Sequence, residues 1–239
     1  VAVDYVKGQT VLLAIDTSTP IGSVALRSHQ GVAGLITVSV QTTHSEGLMP
    51  AIDTLLQHTH TESSAIEAVA CVTGPGSYTG LRIGIATAQG ISLANNAACV
   101  GIPAFDVLAR AFPYARYPLC PLMPARKGWV YARMYRWDEI GPRPISEEMN
   151  VQPDELVKDV HEPTLFYGPG FPAVREMLQE ILQDELIACP PVHDLPRADL
   201  LAELAARELE QGHGIDASLL QPHYLGPSQA EVNWKKRNG

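Results

Sequence analysis

Two stretches of the 239-residue chain combine residue types that could hold an anion or a hydrated cation. The first is Asp16-Thr17-Ser18-Thr19, which ends one apolar run and leads through Pro20-Ile21-Gly22 into the next. A carboxylate followed by three hydroxyls at a tight hairpin suits a hydrated Mg²⁺ and a phosphate tail, since oxygen ligands and hydroxyl donors serve both. The same side chains also close β-turns by bonding to their own backbone, and the spacing permits either use. The second stretch is Gly74-Pro75-Gly76-Ser77-Tyr78-Thr79-Gly80-Leu81-Arg82. Amides at a helix N-terminus, with Ser77, Thr79 and Arg82 beside them, would make an anion site. Stricter phosphate patterns fail here: a dinucleotide fingerprint needs glycine where Thr79 sits, and a P-loop needs Gly-Lys-Ser/Thr in place of Gly80-Leu81-Arg82. Glycines placed for close packing are the other reading.

Other chemistries lack their residues. Ser77 has Pro75 and Thr79 two positions away, so no nucleophile elbow forms, and neither that nor a zinc motif supports a peptidase. His58 and His60 are two apart and do not share a helix face; no HExxH occurs, and no metal site is expected. Cys71, Cys99, Cys120 and Cys189 match neither a CxxC pattern nor a disulfide framework and read as small buried apolar residues. Glu147 and Glu148 read as a solvated face, and Trp234-Lys235-Lys236-Arg237 as a solvated basic terminus.

Hydrophobic residues make up 46% of the chain and charged residues 18%, which excludes disorder and provides for a sizeable core. A net charge of −9 repels nucleic acid unless basic residues cluster locally, so a stand-alone RNA binder is disfavoured. The longest apolar runs, 10–15 and 68–72, fall far short of the roughly 20 residues of a membrane span, and the opening Val1-Ala2-Val3-Asp4 is no signal peptide. A soluble, cytoplasmic protein is expected.

The elements that position these residues follow from periodicity. Alternating apolar runs at 10–15, 22–26 and 32–39 predict a three-stranded meander. A helix over 45–58, a strand at 68–73, a helix over 79–95, a strand at 98–100 and a helix at 105–111 complete a βββαβαβα order. After a Pro- and Tyr-rich crossing at 113–118 the theme restarts. Strands are expected at 119–123, 129–137, 144–151 and 164–167, with helices from Pro153, over 173–183 and over 198–210. These elements predict two α/β lobes, residues 1–112 and a reduced second lobe 113–221, with a tail 222–239.

Two helices carry more apolar surface than one sheet needs. In 45–58 the residues Leu48, Met49, Ile52, Leu55 and Leu56 form a wide stripe; in 79–95 the residues Leu81, Ile83, Ile85, Ala86, Ala88, Ile91 and Leu93 lie nearly all round. Either the lobe's own sheet covers them, or a partner's helices do, approaching over the small residues Gly84, Ala86, Ala88, Gly90 and Ala94.

Residues 12–26 (LLAIDTSTPIGSVAL), 44–56 (HSEGLMPAIDTLL), 72–90 (VTGPGSYTGLRIGIATAQG) and 100–108 (VGIPAFDVL) together resemble the bacterial TsaB (YeaZ) family, as do 125–132 and the late Pro222-His223-Tyr224-Leu225. The resemblance implies a two-lobed actin/Hsp70/sugar-kinase-like (ASKHA) fold and a non-catalytic subunit. That subunit pairs with the TsaD paralogue and acts with the ATPase TsaE. The complex transfers threonylcarbamoyl from an adenylate made by TsaC-type enzymes to N6 of the adenosine beside the anticodon in tRNAs reading ANN codons. It implies that tRNA is met only through the complex, and that the first two helices bind TsaD, or a second copy when TsaD is absent. On those helices Ser45, Leu48, Met49, Ile52, Leu55, Leu81, Gly84, Ile85, Ala88 and Ser92 are the expected partner-binding residues. The paralogue's metal-binding histidine pair has no counterpart in 101–109. No cofactor is therefore required; weak ATP–Mg or ADP–Mg binding would fall on Asp16, Thr17, Ser18, Thr19, Gly74, Gly76 and Ser77. The alternative is an ATP-dependent phosphotransferase or ATPase of the same fold. Pro124 stands where the family usually has Asp, and Gly226 where it more often has Arg, a loss that Lys235, Lys236 and Arg237 would have to cover.

Overall fold

The computed structural model describes residues 10–39 and 44–226. The first unit opens with β1 (Leu12–Asp16), β2 (Ile21–Ser28) and β3 (Gly31–Ser39), an antiparallel meander. Helix α1 (His44–His58) leads to β4 (Ala68–Gly74), parallel to β1; α2 (Tyr78–Asn95) leads to β5 (Ala98–Pro103), parallel to β4; α3 (Ala104–Ala109) follows. The sheet order is β3-β2-β1-β4-β5. Strand β1 lies inside the sheet and is buried along its whole length, as its unbroken apolar run requires. Leu13, Ile15, Val24, Leu26 and Val69 point to one face, where they form a core with Leu48, Ile52, Leu55 and Ile85 of α1 and α2.

In the second unit, β6 (Leu119–Pro124), β7 (Val130–Ala132), β8 (Tyr135–Trp137), β9 (Pro142–Pro144) and β10 (Met149–Val151) precede α4 (Pro153–Leu156). Strand β11 (Thr164–Tyr167), helix α5 (Arg175–Leu182) and strand β12 (Leu186–Ala188) complete it. The order is β10-β7-β6-β11-β12, with β8 pairing both β6 and β9. Its core gathers Cys120, Leu122, Phe166, Phe171, Leu178 and Leu182.

Helix α6 (Ala198–Glu210) has the expected bounds but belongs to the first sheet, which corrects the predicted 113–221 lobe. Ala14 is in register with Ala25 on one side and Ala70 on the other, a row of small side chains on the face away from α1 and α2. On that face the amide of Ala198 donates to Ser23 Oγ at 3.3 Å. A face lined with alanines leaves room for a helix to lie close, and α6 fills it with Leu201, Ala202 and Ala205. The chain accordingly divides between Val107 and Leu108, between Leu195 and Pro196, and between Pro222 and His223. Two other expectations change. The single strands expected at 129–137 and 144–151 are each split in two, and β12 was not foreseen. Among the described residues no helix is long and apolar enough to cross a membrane.

Candidate functional site

The Asp16–Thr19 segment is a closed turn. Asp16 Oδ1 accepts from the Ser18 amide at 3.0 Å and from Ser18 Oγ at 2.6 Å, and the Ile21 amide donates to Thr19 Oγ1 at 3.2 Å. Its neighbour is the Gly74–Gly80 stretch. The Ser77 amide donates to the Ser18 carbonyl at 2.7 Å, and Thr17 Oγ1 donates to the Gly80 carbonyl at 2.8 Å. Ser77 caps α2, its Oγ accepting from the Gly80 amide at 3.2 Å. Four donors that a phosphate tail would use, the amides of Ser18, Ile21, Ser77 and Gly80, are thus engaged within the fold.

Glycine explains how the two segments come so close. A Cβ on Gly76 would lie 2.5 Å from the Ser18 carbonyl oxygen, and one on Gly80 would lie 2.1 Å from that of Thr17. The space that a phosphate cradle would leave open is filled by backbone, so these residues do not fit a bound nucleotide phosphate. All four side chains of the turn are buried. Beneath them, burial and then the Asp16 carboxylate push the Cys71 thiol well above the ordinary range, which removes it as a nucleophile.

The helices divide their predicted partner residues unequally. Leu48, Ile52 and Leu55 of α1, and Leu81, Gly84, Ile85, Ala88 and Ser92 of α2, are buried in the lobe itself. Ser92 Oγ bonds back to the Ala97 carbonyl. This corrects the expectation that they face a partner: they are the side of each helix that the first sheet covers, and charging Ile85 or Leu48 would break the fold. Met49 does face outward, 51% exposed; Ser45 lies in α1 with its side chain outside the described residues. The outward stripe of α2 holds Ala86, Gly90 and Ala94, three of the five small residues named from the sequence, together with Arg82, and Leu93 beside it is 72% exposed. The i, i+4, i+8, i+12 recurrence of Arg82, Ala86, Gly90 and Ala94 puts them on one face, whereas Gly84 and Ala88, named with them, face inward.

Two further expectations resolve. All four cysteines are buried and unpaired, as read from their spacing, and burial pushes the Cys189 thiol up to about 12. Glu148 is not a solvated residue: its side chain is largely buried, with Oε2 2.6 Å from His223 Nε2 and Oε1 3.7 Å from Arg133 Nη1. At Gly226, a Cβ would meet Asn150 Nδ2 at 2.6 Å, so the departure from Arg there goes with close packing. The basic cluster at 234–237 lies outside the described residues.

The chain is similar to known proteins along nearly its whole length. The family model described as TsaD, tRNA N6-adenosine threonylcarbamoyltransferase, matches residues 23–234. The TsaB protein of Haemophilus influenzae, named for tRNA threonylcarbamoyladenosine biosynthesis, is 30% identical, with 95% of this chain and 97% of that protein aligned. The solved structure of YeaZ from Pseudomonas aeruginosa superposes with a TM-score of 0.74 at 27% identity, over 91% of this chain and all of the other. A more distant structure, the ADPNP-bound activator of 2-hydroxyisocaproyl-CoA dehydratase from Clostridium difficile, shares the fold alone. Its TM-score is 0.51 at 13% identity, over 84% of this chain and 97% of that one. A likeness that runs this far along the chain, in both sequence and structure, places it in the TsaB (YeaZ) family of tRNA threonylcarbamoyladenosine biosynthesis proteins, with an actin-like α/β fold.

Proposed function

We propose that this chain is the non-catalytic partner subunit in threonylcarbamoylation of tRNA adenosine, and that it holds a TsaD-type paralogue through the outward face of α1 and α2. The observation that carries this reading is the face itself: Met49, Ala86, Gly90 and Leu93 leave apolar and small surface exposed on two adjacent helices. A partner's helices could approach closely over it. The closed Asp16–Thr19 turn and the lack of histidine in 101–109 favour a subunit that activates rather than catalyses.

In this reading the ATPase TsaE joins the complex and a TsaC-type enzyme supplies the adenylate in the cytoplasm. The same face pairs two copies of the chain when the paralogue is absent. The chain itself then requires no cofactor.

Size-exclusion chromatography with light scattering on the purified chain mixed with its paralogue tests this. The expected result is a mixed species, lost in Leu93→Glu and Gly90→Arg while far-UV dichroism and melting stay unchanged. Homodimers persisting with no mixed species would overturn it. Mg-dependent ATP turnover by the isolated chain, abolished by Asp16→Ala, would instead favour a phosphotransferase or ATPase.

A further inference from the structure

The first sheet treats its two edges differently. At β5 the chain closes the edge itself: the Cys99 amide donates to the Ile215 carbonyl at 2.9 Å, and the Ile215 amide donates back to the Cys99 carbonyl at 2.8 Å. At the opposite edge, no other described strand or bridge pairs with the free side of β3. Every second residue of such a strand points its N–H and C=O outward, a template for another strand. Proteins blunt such edges with Lys, Pro or a bulge. Residues 28–45 contain no Asp, Glu, Lys, Arg or Pro. The bulge comes early: Leu26 pairs with Gly34 but Arg27 with Val32, which leaves Ala33 over. From Gly34 to Ser39 the register with β2 is unbroken.

This regular part carries apolar side chains on both faces. Ile36 and Val38 stand opposite Val24 and Gly22, on the side of α1, where they line an apolar groove with Leu48 and Ala51. Val38 is 47% exposed there. On the side of α6, Leu35 stands opposite Ala25 and is 44% exposed, and Thr37 Oγ1 lies 2.9 Å from Ser23 Oγ. A two-fold axis normal to the sheet at Thr37 would set Ile36 of each copy against Val38 of the other, and Leu35 against Ser39. Residues equally distant from the axis are an even number apart, so each pair shares a face and apolar meets apolar on the groove side. A chain of net charge −9 repels its own copies, and along this uncharged stretch two copies meet with no like charges opposed.

We propose that β3 pairs antiparallel with β3 of a second copy, Thr37 against Thr37, which joins two five-stranded sheets into one. The contact is self-complementary: backbone ladder bonds hold it, and the Ile36–Val38 pairs occur twice. The outward stripe of α2 takes no part, so this contact is separate from the paralogue-binding face and stands if that reading fails. Residues 35–39 of each copy make a contact below the roughly 1,200 Å² of a standard interface, so half-association is expected at about 10–100 µM.

The test is sedimentation velocity of the full chain from about 1 to about 500 µM, without the paralogue. Dimers are expected in the wild type and equally in Leu93→Glu, whose change lies on the α2 stripe. Val38→Lys puts a charge into the apolar pair at a half-exposed position, and should raise the dissociation constant tenfold or more with melting unchanged. Thr37→Cys keeps the test decisive should the lysine variant fold poorly. Its thiol meets its own mate on the axis and should give a disulfide-linked dimer on mild oxidation, with the four native cysteines buried and out of competition. No dimer at the highest concentration, or no cross-link through Thr37→Cys, would overturn the proposal. Loss of the dimer in Leu93→Glu would do the same by assigning self-pairing to the helices. Undiminished self-association in a folded Val38→Lys would also overturn it, and loss of the paralogue complex in that variant would give the edge to the paralogue. Dimers that form only after removal of residues 1–9 would give the edge to that segment instead of a second copy.

Discussion

Gly84 and Gly90 occupy the same helix and answer opposite demands. A Cβ on Gly84 would come within 2.3 Å of Thr17 Oγ1 and 3.3 Å of Cys71 Sγ; a Cβ on Gly90 would meet nothing within 4 Å. The inner face of α2 is small because the Asp16–Thr19 turn and β4 lie against it. The outer face is small with nothing among the described residues to require it. An inner glycine is therefore accounted for by its own fold, whereas an outer one in a helix interior, where Gly costs about 0.5–1 kcal/mol relative to Ala, points to something outside the fold.

The largest effect expected from breaking this contrast comes from the inner face. Ile85 packs in the core with Leu48, Ile52 and Leu55, so Ile85→Glu would bury an unpaired carboxylate at about 3–5 kcal/mol, comparable to a domain's whole stability. Urea unfolding followed by circular dichroism should find the variant largely unfolded. A folded Ile85→Glu that merely failed to associate would reverse the assignment of the faces. Next comes Gly80→Ala. Its methyl would lie 2.1 Å from the Thr17 carbonyl oxygen, a backbone atom that cannot swing aside, and a loss of about 2–3 kcal/mol is expected in the same experiment. Unchanged stability would mean that the turn and the helix are not held together as described.

The same contrast explains what the sequence could show. The 198–210 helix was legible to the residue because Leu201, Leu204, Ala205 and Leu209 keep helical spacing within a charged segment. Its sheet was not legible, since the cue is the alignment of Ala14, Ala25 and Ala70 across three strands, and register is not written in any one strand. At Asp16–Thr19 the residues suit a phosphate loop and a self-bonded turn equally. The deciding contacts are carbonyls of Thr17 and Ser18 against glycines about sixty residues further on. The stripe of α1 was read correctly as apolar, but burial of Leu48, Ile52 and Leu55 assigns it to the lobe's own sheet, leaving Met49 outward. In α2, apolar on most sides, periodicity could not choose a face. Glu148 shows the same limit in the second unit, because its partners Arg133 and His223 are distant in sequence.

The outer face should respond weakly in the isolated chain and strongly in assembly. Gly90→Ala places a methyl in open space at an ordinary helical position and should raise stability by about 0.5–1 kcal/mol, read as a higher urea midpoint with unchanged slope. The same methyl should weaken association with the paralogue if helices meet there. Smallest of all on folding is Leu93→Gln. With 72% of Leu93 already in solvent, the change should stay within about 0.5 kcal/mol. If the face docks a partner, that substitution leaves a polar amide in an apolar contact and should lower paralogue affinity about tenfold or more in a titration of the two purified proteins. Equal affinity for wild type and Leu93→Gln would uncouple the exposed stripe from assembly. The small residues of the outer face would then need an explanation within this chain, where no described residue lies within 4 Å of a Cβ added at Gly90.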